Sequence, residues 1–314
     1  MPAKATRVAF GEAILELAAK NKRIVVVNAD LGKSTMTQKF AEVYPDRAFN
    51  VGVAEANLIG IGAGLALSGW IPFICTFACF VIGRFETIRL SISYSHANVK
   101  IVGTHTGLGI GEDGYSQMGM EDLTLARALP NLAIIQPADE VETKQAVAYA
   151  AEHDGPVYLR FTRQALEPVS PTGYTFQFGK GTVLREGTDV TILGTGGPLF
   201  NCLQAADRLA AEGIRAEVIN ISTIKPLSTL KPLDEELILR SGGKTGHVVT
   251  VEDHTIRGGL GGAVAELLSE ARPVPLKRLG VQGFGESGDP RGLYAKHGLD
   301  PDGIARSVMK FLNR

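Results

Sequence analysis

The chain's 314 residues are enough for two ordinary domains and far more than a stapled miniprotein has. Lys and Arg number 32 against 33 Asp and Glu, a formal charge of −1, and 45% of residues are hydrophobic, which excludes a disordered chain and removes electrostatic support for nucleic-acid binding. Three cysteines without paired spacing exclude a disulfide framework, so a reducing, cytoplasmic setting is expected.

The opening stretch MPAKATRVAFGEAILELAAKNKR has no apolar block followed by a cleavage site, so no secretory signal is expected. From there to residue 160, short apolar runs alternate with helical patterns. RIVVVN (23–28), IPFICT (71–76), VKIVGT (99–104), LAIIQP (132–137) and GPVYLR (155–160) are rich in β-branched residues and bounded by Gly, Pro or Asn, as buried strands are. Helices are expected over 55–68, 80–94, 121–128 and 140–152, and the alternation predicts parallel strands with crossover helices. Residues 58–83 are uncharged and long enough to span a membrane, but Gly60, Gly62, Gly64, Ser68, Gly69 and Pro72 divide them into a helix and a strand of a soluble core. The Pro/Gly/Ser-rich run 168–180 reads as a linker. Beyond it, strands at 190–195, 216–220, 247–253 and 274–280, with helices at 199–212 and 261–270, repeat the pattern. The fold class is therefore α/β, in two domains each based on a parallel sheet, 1–167 and 181–314.

Glycine turns after strands are where nucleotide phosphates bind, yet none here has the required spacing. Leu65, Glu112 and Leu199 occupy the third-glycine position of GxGxxG, and Val27 stands where a P-loop ending in Gly32-Lys33-Ser34 needs glycine. Gly285-Glu286-Ser287-Gly288-Asp289 misses the nucleophile-elbow spacing by one glycine, and no zinc signature is present. Three features of the first half remain. Glu55 opens an apolar, glycine-rich helix, where it either complements the helix dipole or shares a proton with a buried ring nitrogen. Phe77 and Phe80 follow a strand at the carboxyl edge of the sheet, where they either fill core or sandwich a flat ring. The glycine-dense loop 103–114, with His105, Glu112 and Asp113, has the composition of a binding loop.

In order and spacing these segments resemble the C-terminal half of transketolase. The resemblance is carried by Ala5-Thr6-Arg7, residues 28–35 (NADLGKST), Val53-Ala54-Glu55-Ala56-Asn57, Thr76-Phe77 with Phe80, Thr104-His105, residues 111–118 (GEDGYSQM), Glu121-Asp122-Leu123 and Thr162-Arg163. Residues 181–314 are similar in pattern and length only. The resemblance implies a pyrimidine-binding domain for thiamine diphosphate followed by a transketolase C-terminal domain, acting in pentose phosphate interconversion or a specialised pathway. Glu55 would hydrogen-bond the aminopyrimidine and favour the imino tautomer that deprotonates the thiazolium carbon. A two-carbon ketol unit would then pass from a ketose phosphate to an aldose phosphate, the cofactor serving as electron sink. By the same resemblance Phe77 and Phe80 would stack on the pyrimidine and Asp30 would lie at the cofactor or its interface. His105 and Gln117 would join Glu55 as catalytic groups, His105 with Asp113 would face the sugar hydroxyls, and Arg7, Ser34 and Arg163 would grip the phosphate.

Three departures qualify that picture. Gln117 stands where many relatives have histidine, and a neutral amide orients a substrate but is a poor base. Gly83 replaces an arginine often found three residues after the second phenylalanine, with Arg84 next to it. The chain contains no Gly-Asp-Gly for the diphosphate and its metal. The diphosphate and its Mg2+ or Ca2+ are therefore expected on an N-terminal-type partner subunit, with no metal ligand here, no activity alone, and an α2β2 assembly. Alternatives are the beta subunit of a 2-oxo acid dehydrogenase, a deoxyxylulose phosphate synthase, or a non-catalytic scaffold; Arg7 and Arg163 favour phosphosugar chemistry. In the second domain, Glu252-Asp253-His254 and Arg257-Gly258-Gly259 read as a strand end and helix entry, or as interface or allosteric material.

Overall fold

Strands Ile24–Asn28, Ile71–Phe77, Lys100–Thr104 and Val157–Arg160 are buried at every residue, and their nearly unbroken apolar sequence requires cover on both sheet faces. The computed structural model, which describes residues 2–225 and 233–313, supplies that cover. Helices Thr6–Lys20 and Glu140–Glu152 pack Phe10, Ile14, Ala146 and Val147 against Val26 and Phe73 on one face. Helix Glu55–Leu67 packs Leu58, Ile59 and Ala63 against Val27 and Ile74 on the other.

The larger sheet runs in the order Thr223–Lys225, Ala133–Ile135, Val157–Arg160, Lys100–Thr104, Ile71–Phe77, Ile24–Asn28, Ala48–Asn50. Its neighbours pair in parallel except Thr223–Lys225, which is antiparallel to Ala133–Ile135. The two strands that follow Ile24–Asn28 in the chain lie on opposite sides of it, so a crevice opens beyond its carboxyl end. The smaller sheet runs Leu276–Val281, Val248–Thr255, Val190–Gly194, Ala216–Asn220, Thr182–Arg185, with only the last antiparallel. The α/β class and the parallel sheets of both halves are as expected.

Other features differ from the sequence reading. The helix expected over 80–94 is three pieces: Ala78–Ile82, Phe85–Ile88 and a π-helical turn Arg89–Tyr94. Gly83 ends the first piece and Arg84 leaves helical geometry at φ −102°, ψ 37°, an interruption that fits glycine's poor helix propensity. Helices Pro290–Lys296 and Pro301–Phe311 were not foreseen, although each opens on an Asp-Pro pair whose Asp289 or Asp300 carboxylate accepts from a backbone N–H of the first turn. The run 168–180 is fastened along helix Glu140–Glu152: Tyr174 donates to Glu142 at 2.6 Å and Phe178 stacks on Tyr149 at 4.6 Å.

Between the two sheets lies a buried ionic group. Arg160, at the end of its strand, donates to Asp122 at 2.8 Å, to Asp253 at 3.1 Å and to the Gly119 carbonyl at 3.0 Å, and all three side chains are buried. Tyr158 also donates to Asp122, at 2.7 Å, and Tyr294 donates to Asp253 at 3.0 Å. Burial alone would favour discharging the guanidinium, but Asp122 and Asp253 outweigh it and push its pKa up. His254 accepts from the Leu123 amide at 3.1 Å and so donates from Nδ1 to the Thr255 carbonyl, which keeps the ring neutral; burial, partly opposed by Asp122, lowers its pKa to about 4. Glu252 accepts from the Leu260 and Gly261 amides at the start of helix Leu260–Ala271, the cap expected of a helix entry. Arg160→Met, which leaves Asp122 and Asp253 buried without a cation, should lower the unfolding free energy by about 3–5 kcal/mol. The measurement is the urea midpoint, and an unchanged midpoint would contradict this account.

Candidate active site

The crevice at the carboxyl edge of the larger sheet is a cleft of about 490 Å³. Each of its walls is the continuation of a strand or the start of a helix. Lys33, Ser34 and Met36 follow Ile24–Asn28; Phe77 and Phe80 end Ile71–Phe77 and enter the next helix; His105, Asp113 and Gln117 follow Lys100–Thr104; Arg163 follows Val157–Arg160. Arg7 arrives from the first turn of helix Thr6–Lys20, which is anchored where the Thr162 amide donates to Thr6 Oγ1 at 2.8 Å. Arg7, Ser34, Phe77, Phe80, His105, Asp113, Gln117 and Arg163 thus share one cleft. Lys33 adds a third cation that sequence reasoning quoted but gave no role.

Arg7 donates to the Ser34 carbonyl at 2.8 Å and to His105 Nε2 at 3.1 Å. A guanidinium only donates, so Nε2 is the acceptor and Nδ1 carries the hydrogen. That hydrogen goes to Thr104 Oγ1 at 2.8 Å, which donates in turn to the Thr76 carbonyl at 3.3 Å. Burial first, then Arg7 and Arg163, lowers the His105 pKa to about 3, so the ring is neutral at physiological pH. His105 is only 2% exposed and lies under Phe77, ring centroids 3.6 Å apart. Arg163 donates to the Ile110 carbonyl at 2.9 Å and to Asp113 at 3.3 Å. Burial and the neighbouring Arg163 lower the Arg7 pKa, the signature of like charges converging on a site for an anion.

Phe77 and Phe80 stack on each other with centroids 5.3 Å apart and planes 13° apart. That leaves no slot for a third ring between them, so of the two readings of their spacing the sandwich falls away, and they form a single aromatic surface. Glu55 is 7% exposed, opens helix Glu55–Leu67, and among the described residues its hydrogen bond is the one donated by Thr76 Oγ1 at 3.3 Å. Asp30 does not line the cleft; it is exposed and accepts from Asn50 Nδ2 at 2.9 Å. Gly83 and Arg84 are exposed and line neither the cleft nor the second cavity, of about 520 Å³, found between the domains. The Cys79 thiol, beside the cleft, is pushed up to about 12 chiefly by burial, which removes it as a nucleophile. Among the described residues no group of three His, Cys, Asp or Glu side chains is placed to hold a metal ion. No described helix is long and apolar enough to cross a membrane.

The transketolase pyrimidine-binding domain family matches residues 3–168, and the transketolase C-terminal domain family matches residues 179–304. The chain belongs to the transketolase family. It is 42% identical over 307 residues to a 6-deoxy-6-sulfo-D-fructose transketolase subunit of Clostridium sp. strain MSTE9, covering 97% of this chain and 94% of that one. Human transketolase is 36% identical over 314 residues, 99% of this chain but 49% of its own length, so the chain spans about half of that single-chain relative. A solved split gene transketolase, described as an inactive beta4 tetramer, is 45% identical, covers 99% of both chains and superposes with a TM-score of 0.88. The chain thus corresponds to the C-terminal half of single-chain members of the family, with the pyrimidine domain carrying the cleft.

The His105 geometry sets its titration. Its pKa falls from 6.5 to about 3 on folding, so below 6.5 the unfolded chain takes up a proton that the folded chain refuses. His105 therefore costs stability progressively as pH falls from 6.5 toward about 3 and contributes no pH dependence above that window. Imidazole 15N NMR should find the Nδ1–H neutral form throughout about pH 5 to 8, and a midpoint near the ordinary histidine value would refute the assignment.

Proposed function

We propose that this chain is the pyrimidine-binding subunit of a split thiamine-diphosphate transketolase that moves a two-carbon ketol unit from a ketose phosphate to an aldose phosphate when joined to an N-terminal-type subunit. The observation that carries this reading is the joining, at one sheet edge, of a buried carboxylate without a cationic partner to an aromatic step and a three-cation cleft. A buried carboxylate with one weak hydrogen bond lacks a donor, and an aminopyrimidine ring offers one, so the residues present fit that half of the cofactor. When bound, thiamine diphosphate supplies the electron sink for carbon–carbon bond cleavage.

In this reading Glu55 holds a proton against a ring nitrogen, acting as the principal catalytic residue of the chain. Phe80, backed by Phe77, gives the aromatic surface, and Asp30 lies at the edge where the cofactor meets the partner. Arg7, Ser34 and Arg163 take the substrate phosphate. His105 orients Arg7 through Nε2 and reaches a substrate hydroxyl by exchanging that bond, while Asp113 and Gln117 orient the sugar. The diphosphate and its Mg2+ or Ca2+ belong to the partner. Val53 and Leu67, 84% and 71% exposed at the two ends of the Glu55 helix, are large apolar side chains that a partner would cover. The split gene relative's beta chains form an inactive tetramer, which supports a need for the other subunit; in this reading the assembly is α2β2 and cytoplasmic. A sulfonate, tetrahedral and anionic like a phosphate, can also accept from these cations, and the Clostridium relative is named for a 6-deoxy-6-sulfo sugar.

The test is reconstitution with the N-terminal-type subunit and thiamine diphosphate, assayed with xylulose 5-phosphate and ribose 5-phosphate, a 6-sulfo ketose, and a 2-oxo acid with an electron acceptor. Ketol transfer to the aldose, absent from either subunit alone, is expected; turnover of the 2-oxo acid only would overturn it. Glu55→Ala should cost about 100-fold or more in kcat. An unaltered rate in that variant would favour a scaffold.

A further inference from the structure

We infer that the second domain is a positioning element of the cleft: its segment 284–290 clamps the loop 107–118 and through it sets Arg163. The inference rests on the reading above for what the cleft binds, and on the following contacts for the clamp itself.

The loop is two tight helical turns, Leu108–Asp113 and Tyr115–Gln117, hinged at Gly111 (φ 75°) and Gly114 (φ 74°). Both hinges meet the second domain. The Gly288 amide donates to the Gly111 carbonyl at 3.4 Å, and a Cβ on Gly111 would lie 3.1 Å from Pro290. A Cβ on Gly114 would lie 3.4 Å from Ser287. Between the hinges, Ser287 Oγ donates to the Glu112 carbonyl. Phe284 packs edge-on against Tyr115, centroids 4.8 Å apart, and Tyr115 donates to Glu121.

The clamped residues are the ones that fix Arg163. Both of its acceptors, the Ile110 carbonyl and Asp113, lie in the first turn of this loop. A positive-φ glycine on each side of Glu112 and Asp113 lets that pair pivot relative to the buried residues 108–110 unless contacts hold it. The segment Gly283-Phe284-Gly285-Glu286-Ser287-Gly288-Asp289-Pro290, which carries no nucleophile elbow, is placed to do so. Ser287 and Phe284 are positioning residues: neither lines the cleft, and both act through Arg163 and Asp113.

Two measurements on Ser287→Ala and Phe284→Ala test the clamp, with Ser287→Thr, which keeps the hydroxyl, as the rescue. In the chain alone, amide hydrogen exchange should quicken over 107–118 and stay as in wild type over the two sheets. In the reconstituted complex, KM for the phosphorylated acceptor should rise about threefold to tenfold in Ser287→Ala, the scale of one lost hydrogen bond, and in the same direction in Phe284→Ala, with kcat and the KM of an unphosphorylated sugar unchanged. Ser287→Thr should restore both readouts. Unchanged exchange over 107–118, or equal losses for phosphorylated and unphosphorylated sugars, would overturn the inference. If the wild-type complex transfers no ketol unit, the functional reading fails, and the exchange measurement still decides whether the clamp exists.

Discussion

A single buried guanidinium ties the loop that carries His105, Asp113 and Gln117, and the strand that leads to Arg163, to the second domain. Arg160 ends one strand of the larger sheet, and the three residues that follow it lead to Arg163. Its hydrogen bond to the Gly119 carbonyl holds the far end of the loop that begins at His105, and its bonds to Asp122 and Asp253 join the two domains. A cation with no exposed surface is tolerable only because two carboxylates and a carbonyl surround it, and each carboxylate receives a tyrosine hydroxyl as well. The arrangement demands accurate placement of residues from both domains, which makes it a device for register as much as for stability.

Around that anchor the cleft is built from strained or close-set groups. Met36 and His105, which line the cleft, and Asp30, which stands outside it, all have φ near +60° without being glycine, and all three follow strands at the same sheet edge. Such conformations persist where surrounding packing over-determines them, as at ligand sites. The electrostatics agree: burial and then Arg163 lower the pKa of Arg7, burial and then both cations lower that of His105, and the imidazole stays neutral and aligns Arg7. The cleft thus gathers positive charge, while the buried carboxylate of Glu55 stands behind Thr76, one residue before the aromatic step.

Much of this was legible in residue order. The buried strands announce themselves by unbroken β-branched runs, and Glu55, Phe77 and His105 stand out by their place after such runs, whereas Arg163 is reached only through the resemblance to transketolase. The choice between core and sandwich for Phe77 and Phe80 stays open in the sequence because spacing of three places two rings on one side of a helical turn but says nothing of whether they touch. The break at Gly83 and the Asp-Pro caps at Asp289 and Asp300 carried local signals that were available and unread. No local signal existed for Thr223–Lys225, which leaves the second half of the chain to pair with the edge of the first sheet.

Local order was sufficient for the α/β class, the strand positions and the family, because strand burial, helix caps and motif spacing are properties of neighbours in the chain. The partners of Arg160, the tautomer of His105 and the contact of Ser287 with Glu112 are of a different kind. Residues 122, 160 and 253, or 112 and 287, are joined by no periodicity, and their energies depend on distances and burial that arise only when both sheets are packed. A buried charge has no meaning in an extended chain; folding creates both the need for its partners and the place where they meet.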